Sequence, residues 1–164
     1  MIGGKCIKFG DSINTDLIIP GRYLVSIDPK ELAKHAFEPL GEEVQKRLAS
    51  SRIAAAGVNF GCGSAREQAA SCLIGAGVQA VIAKSFARVF FRNSINTGLL
   101  AVECPGAADA IEDGEEAFID TAAGTVTVGE QVFHFDPYPE SLRLILDAGG
   151  LIPYIAKYVL VEGK

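Results

Sequence analysis

Three short apolar runs constrain this chain most. They are Ile53-Ala54-Ala55-Ala56, Ala80-Val81-Ile82-Ala83 and Leu99-Leu100-Ala101-Val102-Glu103. Each reads as a buried strand, and strands buried on both faces belong to parallel sheets. Parallel neighbours need crossover connections, and the intervals hold helical patterns from Ser64 to about Gly75 and from Phe86 to Asn93. The expected class is α/β, with parallel βαβ units in the middle of the chain.

The flanks add detail. Lys5 to Phe9 is a short opening strand, followed by the polar turn Gly10 to Asp16, a break at Ile18-Ile19-Pro20-Gly21 and an irregular segment to Ile27. Asp28-Pro29-Lys30-Glu31 signs a helix start, with Asp as N-cap, Pro at the first helical position and Glu two residues on; the helix runs to about Ala36. Glu42 to Leu48 is amphipathic. From about Ala117 the pattern alternates: Ala117–Asp120, Thr125–Val128 and Gln131–Phe135 predict an antiparallel meander. A helical tail covers about 139–160, interrupted by Gly149-Gly150. The 164 residues are expected to form one domain over 1–164, large enough to bury about 68–70% of the surface that the unfolded chain exposes.

Charge and cysteine usage narrow the function. A net charge of −5 argues against nucleic acid and anionic membrane surfaces as partners. Cys6, Cys62, Cys72 and Cys104 form no C-x-x-C and no zinc or ferredoxin spacing, and His35 and His134 show no ligand-type neighbour. The chain is therefore expected to bind no metal or cluster by itself. Ile2-Gly3-Gly4-Lys5 is no signal-peptide core and no apolar stretch approaches 18 residues, so a cytoplasmic protein is expected.

The chemistry concentrates in Gly61-Cys62-Gly63-Ser64-Ala65-Arg66-Glu67-Gln68, where a strand hands over to a helix. Ligands gather at such places in α/β folds, and helix N-termini favour anions. Dinucleotide, P-loop and nucleophile-elbow patterns all fail; Arg66, for instance, stands where the first needs its third glycine. A serine, an arginine one turn into the helix and a dipole end suit a small carboxylate better than a nucleotide. The bland alternatives are strong: Ser64-x-x-Glu67 is a capping box, Arg66 could be a solvated helix residue and Cys62 a small packed thiol.

Gly61 to Glu67 closely resembles the Gly-Ser-Ser-Arg-Glu-His signature of the aconitase superfamily's swivelling domain. Two further stretches resemble the same family in the same order: Asn14-Thr15-Asp16-Leu17-Ile18-Ile19-Pro20-Gly21-Arg22-Tyr23-Leu24, and Val81 to Leu99. The resemblance spans essentially the whole chain and implies a β/β/α swivelling domain. It also implies a hydro-lyase acting on a small hydroxy-dicarboxylic acid, active only with a large subunit whose 4Fe-4S cluster is a Lewis acid. On the matched positions, Ser64 would be the base, Arg66 would hold a substrate carboxylate, and Thr15 and Asp16 would join the active-site network, with Gly63, Ala65 and Arg22 around the substrate. Ala65 and Gln68 depart from the family's second Ser and its His, which leaves the base and the arginine intact but loosens the substrate assignment.

In this family the loop after Tyr23-Leu24 faces the substrate's variable arm. Val25 suits a branched alkyl arm: a buried, unpaired carboxylate against it would cost several kcal/mol, whereas an alkyl arm gains about 1.5–3 kcal/mol. Isopropylmalate leads, with citramalate, dimethylmalate and homoaconitate as alternatives. A carboxylate-binding module that has lost its chemistry is the other class, and a stand-alone Cys62 nucleophile a third.

Overall fold

The Ala-rich runs become one half of a seven-stranded sheet. A computed structural model describes residues 1–160; residues 161–164 of the expected single domain lie outside the described residues. In chain order the strands are β1 (Ile2–Lys8), β2 (Ile53–Ala56), β3 (Ala80–Ala83), β4 (Leu100–Glu103), β5 (Glu116–Asp120), β6 (Thr125–Val128) and β7 (Gln131–His134). Their order across the sheet is β4-β3-β2-β1-β5-β6-β7. The pairs β1/β2, β2/β3 and β3/β4 are parallel, whereas β1/β5, β5/β6 and β6/β7 are antiparallel. β1 is thus the strand at which the two kinds of pairing meet.

The helices are α1 (Thr15–Ile18), α2 (Pro29–Ala33), α3 (Glu42–Ala49), α4 (Glu67–Gly75), α5 (Arg88–Thr97), α6 (Pro105–Ala110), α7 (Glu140–Asp147) and α8 (Leu151–Tyr154), the last running into a π turn over Ile155–Val159. Alternation along the parallel strands splits the core in two. Ile7, Ala54, Ala56, Val81 and Ala83 pack with Leu32, Phe37, Leu48, Ala69 and Leu73 from the α2, α3 and α4 side. Cys6, Ile53, Ala55, Ile82 and Val102 point the other way, against Ala107 and Ile111 from the α6 region and Ala117, Ile119, Val126 and Val128 of the meander. The result is three layers: helices, the parallel strands, and α6 with the meander. Alanine at Ala54, Ala55, Ala56, Ala80 and Ala83, all essentially without exposure, lets both outer layers approach closely.

Several sequence expectations shift. The end of the expected polar turn and the start of the expected break form α1, Thr15–Ile18, and the segment expected to be irregular opens with a 3-10 turn over Gly21–Tyr23. Asp28 does cap α2, its carboxylate accepting from the Lys30 N–H at 2.9 Å, but the helix stops at Ala33. The Phe86–Asn93 helix is α5, displaced to Arg88–Thr97 and ended by Gly98 in the left-handed region at φ 88°. His35 does have a ligand-type neighbour: Glu38, three residues on, lies 2.7 Å from its Nδ1. Lastly, α4 starts at Glu67 rather than Ser64, its N-cap position is Arg66, and no side chain caps it. The capping-box reading of Ser64 therefore fails, and Arg66 stands at the helix boundary rather than one turn in.

Candidate active site

Two loops cross at the C-terminal ends of β1 and β2. The first follows β1 and leads into α1, where the Asn14 side chain accepts the Asp16 N–H at 2.8 Å. The second follows β2 and leads into α4. They are laced together by backbone: the Gly61 N–H donates to the Ile13 carbonyl at 2.8 Å, and the Thr15 N–H to the Cys62 carbonyl at 2.8 Å. The glycines are required by this crossing. Gly61 has φ 79° and a Cβ there would lie 2.2 Å from the Phe90 ring; Gly63 has φ 89° and its Cβ would meet the Asn14 amide at 2.5 Å.

Ser64 lies at a bend in the short connection between Gly63 and α4. Its carbonyl accepts the Thr15 hydroxyl at 2.9 Å, a bond that also satisfies the buried Thr15 side chain. The Ser64 hydroxyl has no partner among the described residues, and Gly63, Ser64 and Ala65 are all exposed. Beyond them the first turn of α4 offers N–H groups without intrahelical partners.

Arg66 is pulled back over the first loop. Its Nη1 pairs with the Asp16 carboxylate and donates to the Ile19 carbonyl at 3.3 Å. The Arg66 side chain is 17% exposed whereas Asp16 is 57% exposed, so the guanidinium is the preorganised half of the pair. Gly21 comes up beside it: a Cβ there would lie 3.5 Å from Nη2. The structure thus brings Thr15, Asp16, Gly63, Ser64, Ala65 and Arg66 together. Arg22 and Val25 follow Gly21 along the rim; Arg22 is turned to Glu38, and Val25 is 95% exposed.

Asn14 carries no role in the sequence reading, although Asn before Thr15-Asp16-Leu17 is a helix-start signal. The Ile19 carbonyl could not be found from sequence. Cys72 braces this corner from behind: its buried thiol contacts the Ile18 and Leu32 carbonyls, and burial pushes its pKa up to about 12. Such a thiol does not ionise near neutral pH. For Cys62 the structure offers no Cys–His arrangement, since His35 is engaged with Glu38 and Tyr23 and His134 lies on the outer strand β7. A cavity of about 680 Å³ sits at the other end of the strands, lined by residues such as Lys5, Arg52 and Gln79. Nothing at that end repeats the loop crossing.

Comparison with known proteins bears on the family and the fold. The family model for the aconitase C-terminal domain matches residues 43–107, from α3 to the start of α6. The 3-isopropylmalate dehydratase small subunit of Methanosarcina acetivorans is 48% identical over 159 residues, covering 95% of this chain and 97% of that one. The "3-isopropylmalate dehydratase small subunit 1" of Archaeoglobus fulgidus is 49% identical over 154 residues, covering 92% and 94%. The crystal structure of 3-isopropylmalate dehydratase from Methanocaldococcus jannaschii superposes with a TM-score of 0.89 at 41% identity, over 98% of this chain and 96% of that one. With the three-layer fold and whole-length relatives in agreement, this chain belongs to the family of 3-isopropylmalate dehydratase small subunits, hydro-lyase components built on the aconitase C-terminal domain.

Proposed function

We propose that this chain supplies the base and a carboxylate anchor to a site shared with a large subunit, interconverting 2-isopropylmalate and 3-isopropylmalate in leucine biosynthesis. One observation carries the reading: an exposed Ser64 and a preorganised Arg66 guanidinium are held on one short segment by Thr15 and Asp16. Ser64 takes the proton from the carbon α to a carboxylate, and the Arg66 fork holds that carboxylate. Asp16 and Thr15 keep the two loops in register. The left-handed Gly63 and the small Ala65 let substrate approach the backbone. Val25 meets the alkyl arm, and Arg22, paired with Glu38, belongs to the rim beside it. The whole chain, 1–164, acts as one swivelling domain in the cytoplasm; no helix among the described residues is long and apolar enough to cross a membrane.

A 4Fe-4S cluster does not fit this chain's own residues. Cys72 lies in one core cluster and Cys6 and Cys104 in the other, and no group of three or more His, Cys, Asp or Glu converges among the described residues. In the reading proposed here the large subunit holds the cluster, which would supply Lewis acidity to the leaving hydroxyl.

The division of labour follows from energetics. A helix terminus contributes about 0.3–1 and at most about 2 kcal/mol. At about 1.4 kcal/mol per pKa unit this lowers a hydroxyl's pKa by little more than one unit. Ser64, three residues before α4 and open to solvent, gains even less. Its activation needs Arg66, further donors and a site dried by the partner.

The purified chain is accordingly expected to be folded, colourless and inactive, and the pair with its large subunit to dehydrate 3-isopropylmalate ahead of citramalate, dimethylmalate and homoaconitate. Iron–sulfur absorbance or dehydratase activity in the chain alone would refute the assignment. Val25→Arg is expected to move kcat/KM ratios toward substrates with a carboxylate-bearing arm, by exchanging an apolar contact for a charge-assisted one. An unchanged ratio would remove Val25 from the arm's surroundings.

A further inference from the structure

The rim of the site is tied down at one carboxylate. Glu38 opens a 3-10 turn over Glu38–Leu40, directly after Phe37, which is buried and left-handed at φ 53°. Its carboxylate accepts the Tyr23 hydroxyl at 2.9 and 3.0 Å, lies 2.7 Å from His35 Nδ1, and pairs with Arg22. The Tyr23 and His35 rings stack with centroids 3.5 Å apart, and the Arg22 guanidinium lies 4.7 Å from the Tyr23 ring centre. Three donors on one carboxylate is an arrangement well beyond what a solvated glutamate needs. His35 first, then Tyr23 and Arg22, hold the Glu38 carboxyl below the usual carboxylate range.

Two of these donors, Arg22 and Tyr23, share the segment that the carboxylate fixes. Arg22 and Tyr23 belong to the turn that begins at Gly21, beside the Arg66 guanidinium. Leu24 packs on the core beside Tyr23, but the residues after it are held more lightly: the Ser26 N–H reaches the Tyr23 carbonyl, the Ser26 hydroxyl accepts the Asp28 N–H at 3.2 Å, and Val25 and Ile27 project into solvent at 95% and 86% exposure. The position of Val25 therefore depends on where Tyr23 is anchored: its ring packs on His35 and the core, and its hydroxyl is held by Glu38.

We infer that Glu38 is a positioning residue for substrate selection: by clamping Tyr23 and Arg22 it sets how far the Val25 loop stands from the substrate's arm, and so which arm length the site prefers. This rests on the reading above that Val25 faces that arm. Glu38 itself touches no reacting atom. Its removal should act on arm selectivity through KM and leave the chemical step nearly untouched.

The test uses the reconstituted pair with large subunit, assayed on 3-isopropylmalate and on the shorter-armed 3-methylmalate. Glu38→Ala is expected to lower the ratio of kcat/KM for the longer over the shorter substrate about tenfold, through KM, with kcat within about twofold. Glu38→Gln, which keeps an oxygen for Tyr23, should restore most of the ratio. Tyr23→Phe removes only a hydroxyl and keeps the ring stacked; it should move the ratio the same way about threefold, and it decides the matter if Glu38→Ala fails to assemble. An equal loss on both substrates, or an unmoved ratio, overturns the proposal. Val25→Arg run in parallel separates the two readings. If it shifts selectivity while the Glu38 and Tyr23 variants do not, the clamp alone is wrong; if it too is inert, the arm-facing loop is wrong and the clamp falls with it.

Discussion

Replacing Ser64 by alanine is expected to leave the chain folded and able to assemble while kcat falls by about 10²–10⁴-fold, the range for losing a positioned base. Alanine is a clean probe here for a structural reason. Were Ser64 the N-cap of α4, the substitution would also fray the helix, at a cost of about 0.5–2 kcal/mol, and lost activity would be ambiguous. The cap position is instead Arg66, and the Ser64 hydroxyl has no partner among the described residues, while its bond to Thr15 leaves from the main-chain carbonyl. Stability should therefore change by less than about 0.5 kcal/mol. Thermal unfolding and size-exclusion with the large subunit check the fold and the assembly, and steady-state turnover checks the base. Near-normal turnover in a folded, assembled Ser64→Ala pair would mean that the proton leaves to another group.

Arg66 should show the complementary pattern. Lysine keeps the charge but loses the planar fork that binds a carboxylate through two N–H groups. Arg66→Lys and, more strongly, Arg66→Ala are expected to cost about 2–5 kcal/mol of transition-state binding, some thirtyfold to several thousandfold in kcat/KM. Most of it should appear in KM, since the carboxylate is held in ground and transition states alike. The folded chain should notice little, because Asp16, the partner left behind, is more than half exposed and can be solvated. KM values for 3-isopropylmalate that stay within twofold of the parent would remove Arg66 from the substrate and leave it a mere brace for Asp16.

The parts of the fold that were legible in sequence are those whose signals are local. Ile53–Ala56 and Ala80–Ala83 are strands with the bounds read from their apolar runs, and Asp28-Pro29 announces α2 at the residue where it begins. The β5–β7 hairpins follow from alternation and turns. The start of α4 was misread for the opposite reason. Ser64-x-x-Glu67 is a good cap in isolation, but Thr15 and Asp16, about fifty residues away in sequence, hold Ser64 and Arg66 outside the helix. No local pattern reports such a hold. Helix α6, Pro105–Ala110, escaped because Pro-Gly-Ala-Ala has too few large apolar residues to show a period. Gly98 was a visible stop for α5, and reading it would have extended that helix to Thr97. At the site, residue identities were legible through family resemblance, whereas the lacing of the two loops and the anchoring of Tyr23 by Glu38 depend on contacts between distant segments.

The place of β1 in the sheet has a consequence for how the chain is made. On one edge β1 pairs with β2, so Cys6 meets Ile53; on the other it pairs with β5, so Ile2 meets Ile119. A nascent chain can dock β1 on β2 early, yet its second edge stays bare until about sixty further residues, from Ala56 to Glu116, have been synthesised. During that interval the growing molecule presents an open strand edge, the feature through which unfinished chains stick to one another. Closure comes only when β5 arrives and the meander folds over the waiting sheet.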